Sequence, residues 1–105
     1  MPLRQVATRI SDEMLRDLEE VEREEKLDRA TALRKLISLG LKRWKLDRAI
    51  RLYSKGRVTA WRAAELAGVT LYEFLEELKA RRIPAQYTLE DLEEDLAWRS
   101  RTRRR

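Results

Sequence analysis

Apolar residues fall in two different rhythms along this chain. Over residues 5–10 they alternate: Val6, Thr8 and Ile10 fall on one side, and Gln5, Ala7 and Arg9 on the other, the period-two pattern of a strand. From Ser11 onward the period is helical. Ser11 is a good N-cap with Asp12 and Glu13 behind it, and Met14, Leu15, Leu18 and Val21 keep one face, which predicts a helix over 12–25. Asp28 caps a second helix whose face carries Leu33, Leu36, Ile37, Leu41 and Trp44, with Gly40 near its expected end. The apolar phase then slips. Leu46, Ala49, Ile50 and Tyr53 restart it while Arg48 takes the slot the earlier face requires, so a third helix is expected over 46–55, stopped by Gly56.

Thr59 starts a fourth helix over 60–67, Gly68-Val69-Thr70 is a tight turn, and 71–82 forms a fifth. Ala64 is small where two helices would cross, Gly68 makes the turn, and Val69 and Phe74 fill a core, the mechanical content of a helix-turn-helix. Pro84 enforces an extended link. Thr88 caps a last helix with Leu89, Leu92, Leu96 and Trp98 on its apolar face. A lone strand cannot satisfy its own backbone groups, so the expected partner is the same strand of a second copy. The fold class expected is mainly α, with an intermolecular two-stranded antiparallel ribbon. Three regions follow: 1–45 for dimerisation and DNA binding, 46–98 as a helix-turn-helix-like unit, and 99–105 as a basic tail.

Charge changes the picture because it is segregated. The net value is +5 over 105 residues. Residues 12–25 are strongly acidic, 26–57 strongly basic, 58–98 acidic and 99–105 basic. A nucleic-acid footprint would be the N-terminal strand, the 26–57 block and the tail. Cysteine and histidine are both absent, which removes thiol nucleophiles, imidazole bases and the commonest transition-metal ligands. No Gly-rich phosphate loop or nucleophile–base set is visible, so neither enzymatic activity nor a cofactor is expected. The carboxylates of 90–95 spread around a helix and read as a solvated face. No membrane span or signal peptide is visible, so a cytoplasmic protein is expected. The lack of asparagine and 41% charged residues are in keeping with a heat-adapted organism.

Val6-Ala7-Thr8-Arg9-Ile10-Ser11-Asp12-Glu13-Met14-Leu15 together with Leu27-Asp28-Arg29-Ala30-Thr31-Ala32-Leu33-Arg34 resembles the ribbon-helix-helix repressors of the Arc, MetJ and CopG type. That resemblance implies base reading by Gln5, Ala7 and Arg9, and phosphate anchoring around Arg29 and Ala30, to which Lys26 and Arg34 could add. The dimer core would be Val6, Thr8, Ile10, Leu15, Leu18, Leu33 and Ile37. Two departures stand out: Ala7 offers only apolar contact, for instance to a thymine methyl, and Lys26 replaces the usual glycine before the second helix. The competing reading is a ribbon used only to dimerise.

Residues 46–96 resemble a small, mostly archaeal helix-turn-helix family encoded beside PIN-domain ribonuclease toxins. The likeness rests on 49–56, 63–69 and 83–96. It implies an antitoxin that represses its own operon as a homodimer, possible also as a tetramer on DNA, at a pseudo-palindromic double-stranded site. Leu89, Leu92, Leu96 and Trp98 would anchor the last helix in a groove of the toxin, with Arg99, Arg101 and Arg103 reaching its acidic metal-binding carboxylates. Alternatively, that helix packs on its own domain. Glu73, Glu76 and Glu77 on the second helix of the turn motif repel phosphate, which favours a structural or protein-binding role there over DNA contact. The broader alternatives are a stand-alone transcription regulator and a dimeric protein-interaction adaptor.

Overall fold

The computed structural model describes residues 2–85 together with 93, 96 and 97. Four helices follow in order among the described residues: α1 (Asp12–Glu25), α2 (Arg29–Ser54), α3 (Ala60–Ala67) and α4 (Leu71–Ala80). The chain divides within α2 into two compact units, residues 1–39 and 40–105.

The mainly helical expectation holds, but the ribbon does not. No strand occurs among the described residues, and 2–11 have no regular secondary structure. The alternation of Val6, Thr8 and Ile10 fixes which side chains share a side, but a strand also needs a neighbour to take its backbone hydrogen bonds. None is present among the described residues, and this segment stays exposed, Leu3 and Val6 at 86% and 88%.

In the first unit, Ser11 closes α1 as anticipated: its side-chain oxygen accepts the Met14 N–H at 3.1 Å, while Asp12 and Glu13 occupy the first turn, where the helix dipole favours negative charge. Lys26 ends the helix in the left-handed region, φ 54°, so a lysine does the work usually left to glycine. The Leu27 N–H donates to the Glu22 carbonyl at 3.1 Å. Arg29 then ties the start of α2 to α1 through Glu22 at 3.0 Å and Glu19 at 3.6 Å, and Lys35 pairs with Glu25. Packing beneath these contacts is thin. Leu18 and Ala32 are the buried apolar residues of this unit.

A second correction concerns α2, a single helix of 26 residues where two were expected. The phase slip at Arg48 marks a change of buried face. Leu46, Ala49, Ile50 and Tyr53 meet the core of the second unit, whereas Trp44 lies on the other side, 52% exposed. A helix can carry two apolar stripes without breaking, and Gly40 therefore sits inside it.

The second unit packs the end of α2 with α3 and α4. Phe74 and Leu78 are fully buried at its centre, with Ala49, Ala60, Ala63, Ala64 and Ala67 allowing close approach of backbones. The Tyr53 and Phe74 rings meet edge to face at 5.6 Å, a favoured aromatic geometry. Thr59 and Thr70 cap α3 and α4 by accepting the Arg62 and Glu73 N–H groups at 3.1 and 3.0 Å. Between the helices Gly68 takes φ 73°, and the Val69 N–H returns to the Ala64 carbonyl at 3.0 Å. Sequence spacing located this two-helix motif well.

Candidate functional site

The residues expected to read bases lie on the N-terminal segment. Gln5, Ala7 and Arg9 are exposed, and no hydrogen bond or ion pair engages them among the described residues. Among the described residues nothing competes for the Gln5 amide or the Arg9 guanidinium.

The expected phosphate anchors are more committed. Arg29 is held by two glutamates. Arg34 donates to the Thr31 hydroxyl at 3.4 Å. Lys26 is exposed at the left-handed residue between α1 and α2, and Ala30 is exposed in the first turn of α2. Asp28, just before that turn, accepts a hydrogen bond from the Thr31 side chain, which holds its carboxyl below the usual carboxylate value. A phosphate approaching these amides therefore meets a carboxylate that stays ionised.

The expected dimer core divides sharply within one chain. Leu18 is buried and Leu15 half-buried, while Val6, Thr8, Ile10, Leu33 and Ile37 are exposed. Met14 and Leu36 extend the same list at 58% and 37% exposure.

In the second unit, Lys42, Lys45, Lys55 and Arg57 are exposed, with no ion pair among the described residues. They belong to the basic block that charge counting located without resolving it residue by residue. Other cations are engaged within the unit. Arg43 and Arg81 both reach Asp47, at 3.4 and 2.8 Å, and Arg81 also holds Glu77 at 2.7 Å. The Arg81 hydrogen bond is the chief reason the Asp47 carboxyl sits below its ordinary value. Glu77 first, then Asp47, push the Arg81 guanidinium further toward its charged form. This three-residue clamp fastens the end of α4 to α2. It was not legible in the sequence, because Asp47 and Arg81 are far apart along it.

An open groove of about 860 Å³ runs beside the start of α3, lined by Tyr53, Arg57, Val58, Trp61, Ile83 and Pro84 among others. Of the residues expected to hold a toxin, Leu96 is helical and 50% exposed. Leu89, Leu92, Trp98, Arg99, Arg101 and Arg103 lie outside the described residues. No cluster of three or more His, Cys, Asp or Glu suited to a metal occurs among the described residues, and none of their helices is long and apolar enough to cross a membrane.

A capped α3–α4 pair joined by a tight glycine turn and clamped to a long preceding helix defines a small all-helical module. The chain belongs to UPF0175, an uncharacterised protein family, whose model matches residues 38–99. It is similar to two UPF0175 proteins of Aeropyrum pernix, at 53% identity over 53 residues and 42% over 55, and to one of Archaeoglobus fulgidus, at 46% over 52. These alignments cover 50–52% of this chain and 60–67% of the relatives' own length. No solved structure matches the chain.

Proposed function

We propose that this protein is a homodimeric, sequence-specific DNA-binding repressor, and that it serves as the antitoxin of a PIN-domain ribonuclease whose operon it regulates. The observation that carries this reading is the exposed N-terminal segment, which presents Gln5 and Arg9 with no partner among the described residues. Arg bidentate to guanine and Gln bidentate to adenine each discriminate by about 1–3 kcal/mol. Lys26 and the free lysines of α2 supply the sequence-independent attraction to phosphate. Exposed apolar residues on the first unit supply the reason to dimerise, since a unit with so little buried surface gains most from a second copy. The second unit, with glutamates along α4, takes the protein-binding role.

The test is binding of the full chain to its own promoter duplex and to a scrambled duplex over a salt series, beside Arg9→Ala. Tighter binding to the promoter is expected, with the preference lost in Arg9→Ala while most of the salt slope remains. Equal affinity for both duplexes defeats sequence-specific reading, and no binding to either leaves a protein-interaction adaptor. The antitoxin role is checked separately, by inhibition of a nuclease encoded next to this chain. Undiminished nuclease activity at saturating protein refutes it.

A further inference from the structure

The groove beside the start of α3 has one wall that the chain builds as it leaves α4. Ile83 and Pro84 line it together with Tyr53, Val58 and Trp61, so the residues that follow Pro84 start at the groove itself. Residues 40–105 form one compact unit, which takes in both the groove and the chain beyond it. The groove wall is also engaged from within. Tyr53 and Trp61 each have a partner in the chain besides the ring contact between Tyr53 and Phe74.

The chemistry of the groove selects its occupant. Val58, Ile83 and the two aromatic rings make it apolar, and the charges beside it are basic. Arg57 lines it and Lys55 stands in the same turn; both are exposed, with no ion pair among the described residues. Such a groove suits a segment that carries carboxylates beside its apolar side chains. Tyr87-Thr88-Leu89-Glu90-Asp91-Leu92 has that composition, with Leu89 and Leu92 at the i, i+3 spacing that puts two side chains on one side of a helix. Reach favours it over any outside segment. Leu89 is tied to Pro84 by at most about 18 Å of chain, and a short tether presents a ligand at an effective concentration of about millimolar.

We propose that the groove holds the chain's own segment 87–92, with Leu89 and Leu92 against its apolar wall and Glu90 and Asp91 turned toward Arg57 and Lys55. Apolar burial supplies the affinity, and the carboxylates choose this segment over the basic tail that follows it. Leu96, farther along, is 50% exposed, so a segment seated this way leaves its later residues outside the groove. The proposal goes beyond the repressor and antitoxin reading and does not depend on it.

The chain has no cysteine, so one engineered pair reports on docking without interference. Ser54, exposed at the groove wall, and Thr88 supply it. The full chain carrying Ser54→Cys and Thr88→Cys is equilibrated with reduced and oxidised glutathione, and the joined fraction gives an effective concentration. Leu92→Ser and Arg57→Glu are then added to that pair. Neither alters the tether, so a change in the joined fraction measures docking and not mere proximity. Arg57 is exposed and outside the core, so Arg57→Glu should keep the parent's thermal midpoint. The bridge is expected within one chain, with an effective concentration that falls at least tenfold in Leu92→Ser and severalfold in Arg57→Glu. A joined fraction that either substitution leaves unchanged overturns the proposal. Bridges that join two chains overturn it as well, since the groove then receives the segment of a second copy. The promoter titration decides DNA binding independently of all three results.

Discussion

The two units of this chain spend their apolar residues differently. In the second, Phe74, Leu75, Leu78, Leu71 and Ile50 are buried among closely packed alanines. In the first, Leu18 and Ala32 are buried while Val6, Ile10, Met14, Leu33, Leu36, Ile37 and Leu39 are exposed. The family match begins at residue 38, so it takes in the unit that completes its own core and leaves out nearly all of the one that does not. A self-sufficient core can be shared among relatives as a module. A unit with uncovered apolar side chains makes sense only with something to cover them.

Deleting the centre of each core breaks the comparison most severely. Phe74→Ala should cost about 3–5 kcal/mol, read by denaturant unfolding, and the loss should not depend on protein concentration. Leu18→Ala should cost less, about 2 kcal/mol, because a thin core collapses more easily around the gap. If the first unit is completed by a second copy, that loss grows on dilution. A Leu18→Ala penalty equal to that of Phe74→Ala and independent of concentration would show that the first unit is complete by itself.

Smaller changes probe the helix ends. Thr70→Ala removes the cap of α4 and should cost about 1 kcal/mol, visible in the same unfolding curve. Lys26→Gly should act in the opposite direction, stabilising the first unit by about 1 kcal/mol, because only glycine takes a left-handed backbone without steric cost. Hydrogen exchange of the α1 amides would register that gain locally.

Acid provides the mildest comparison. Asp28 in the first unit and Asp47 in the second both have folded values below the ordinary 3.8. A depressed value means the unfolded chain binds the proton first. Each carboxylate's contribution is thus complete above its unfolded value and lost as pH falls through the folded one. Asp47→Asn should flatten that acid dependence in the second unit while leaving the contribution of Asp28 intact. Asp28 is exposed and Asp47 only half-buried, so the shift in the acid unfolding midpoint is expected to be small.

Sequence reading was most accurate where local chemistry decides. Ser11, Thr59 and Thr70 each precede an apolar run, and α1 and α3 run between the limits their caps and spacing predict, while α4 stops two residues short of its own. It failed where a distant partner decides. Alternation at Val6, Thr8 and Ile10 is a necessary mark of a strand, but pairing is a non-local event that the chain alone does not supply. At Trp44–Leu46 the phase slip marks a change in which side of α2 is buried and not a break in the backbone, since a pattern records faces and not continuity. The Asp47–Arg81–Glu77 clamp was invisible for the same reason.

The core around Phe74 is drawn from helices that follow one another directly in the chain, α2, α3 and α4, with a short turn between the last two. Contacts between neighbouring segments close small loops, and proteins built from them fold in microseconds to milliseconds. This unit should therefore regain its shape faster than most encounters with another chain occur, so that after unfolding it is ready before any partner arrives.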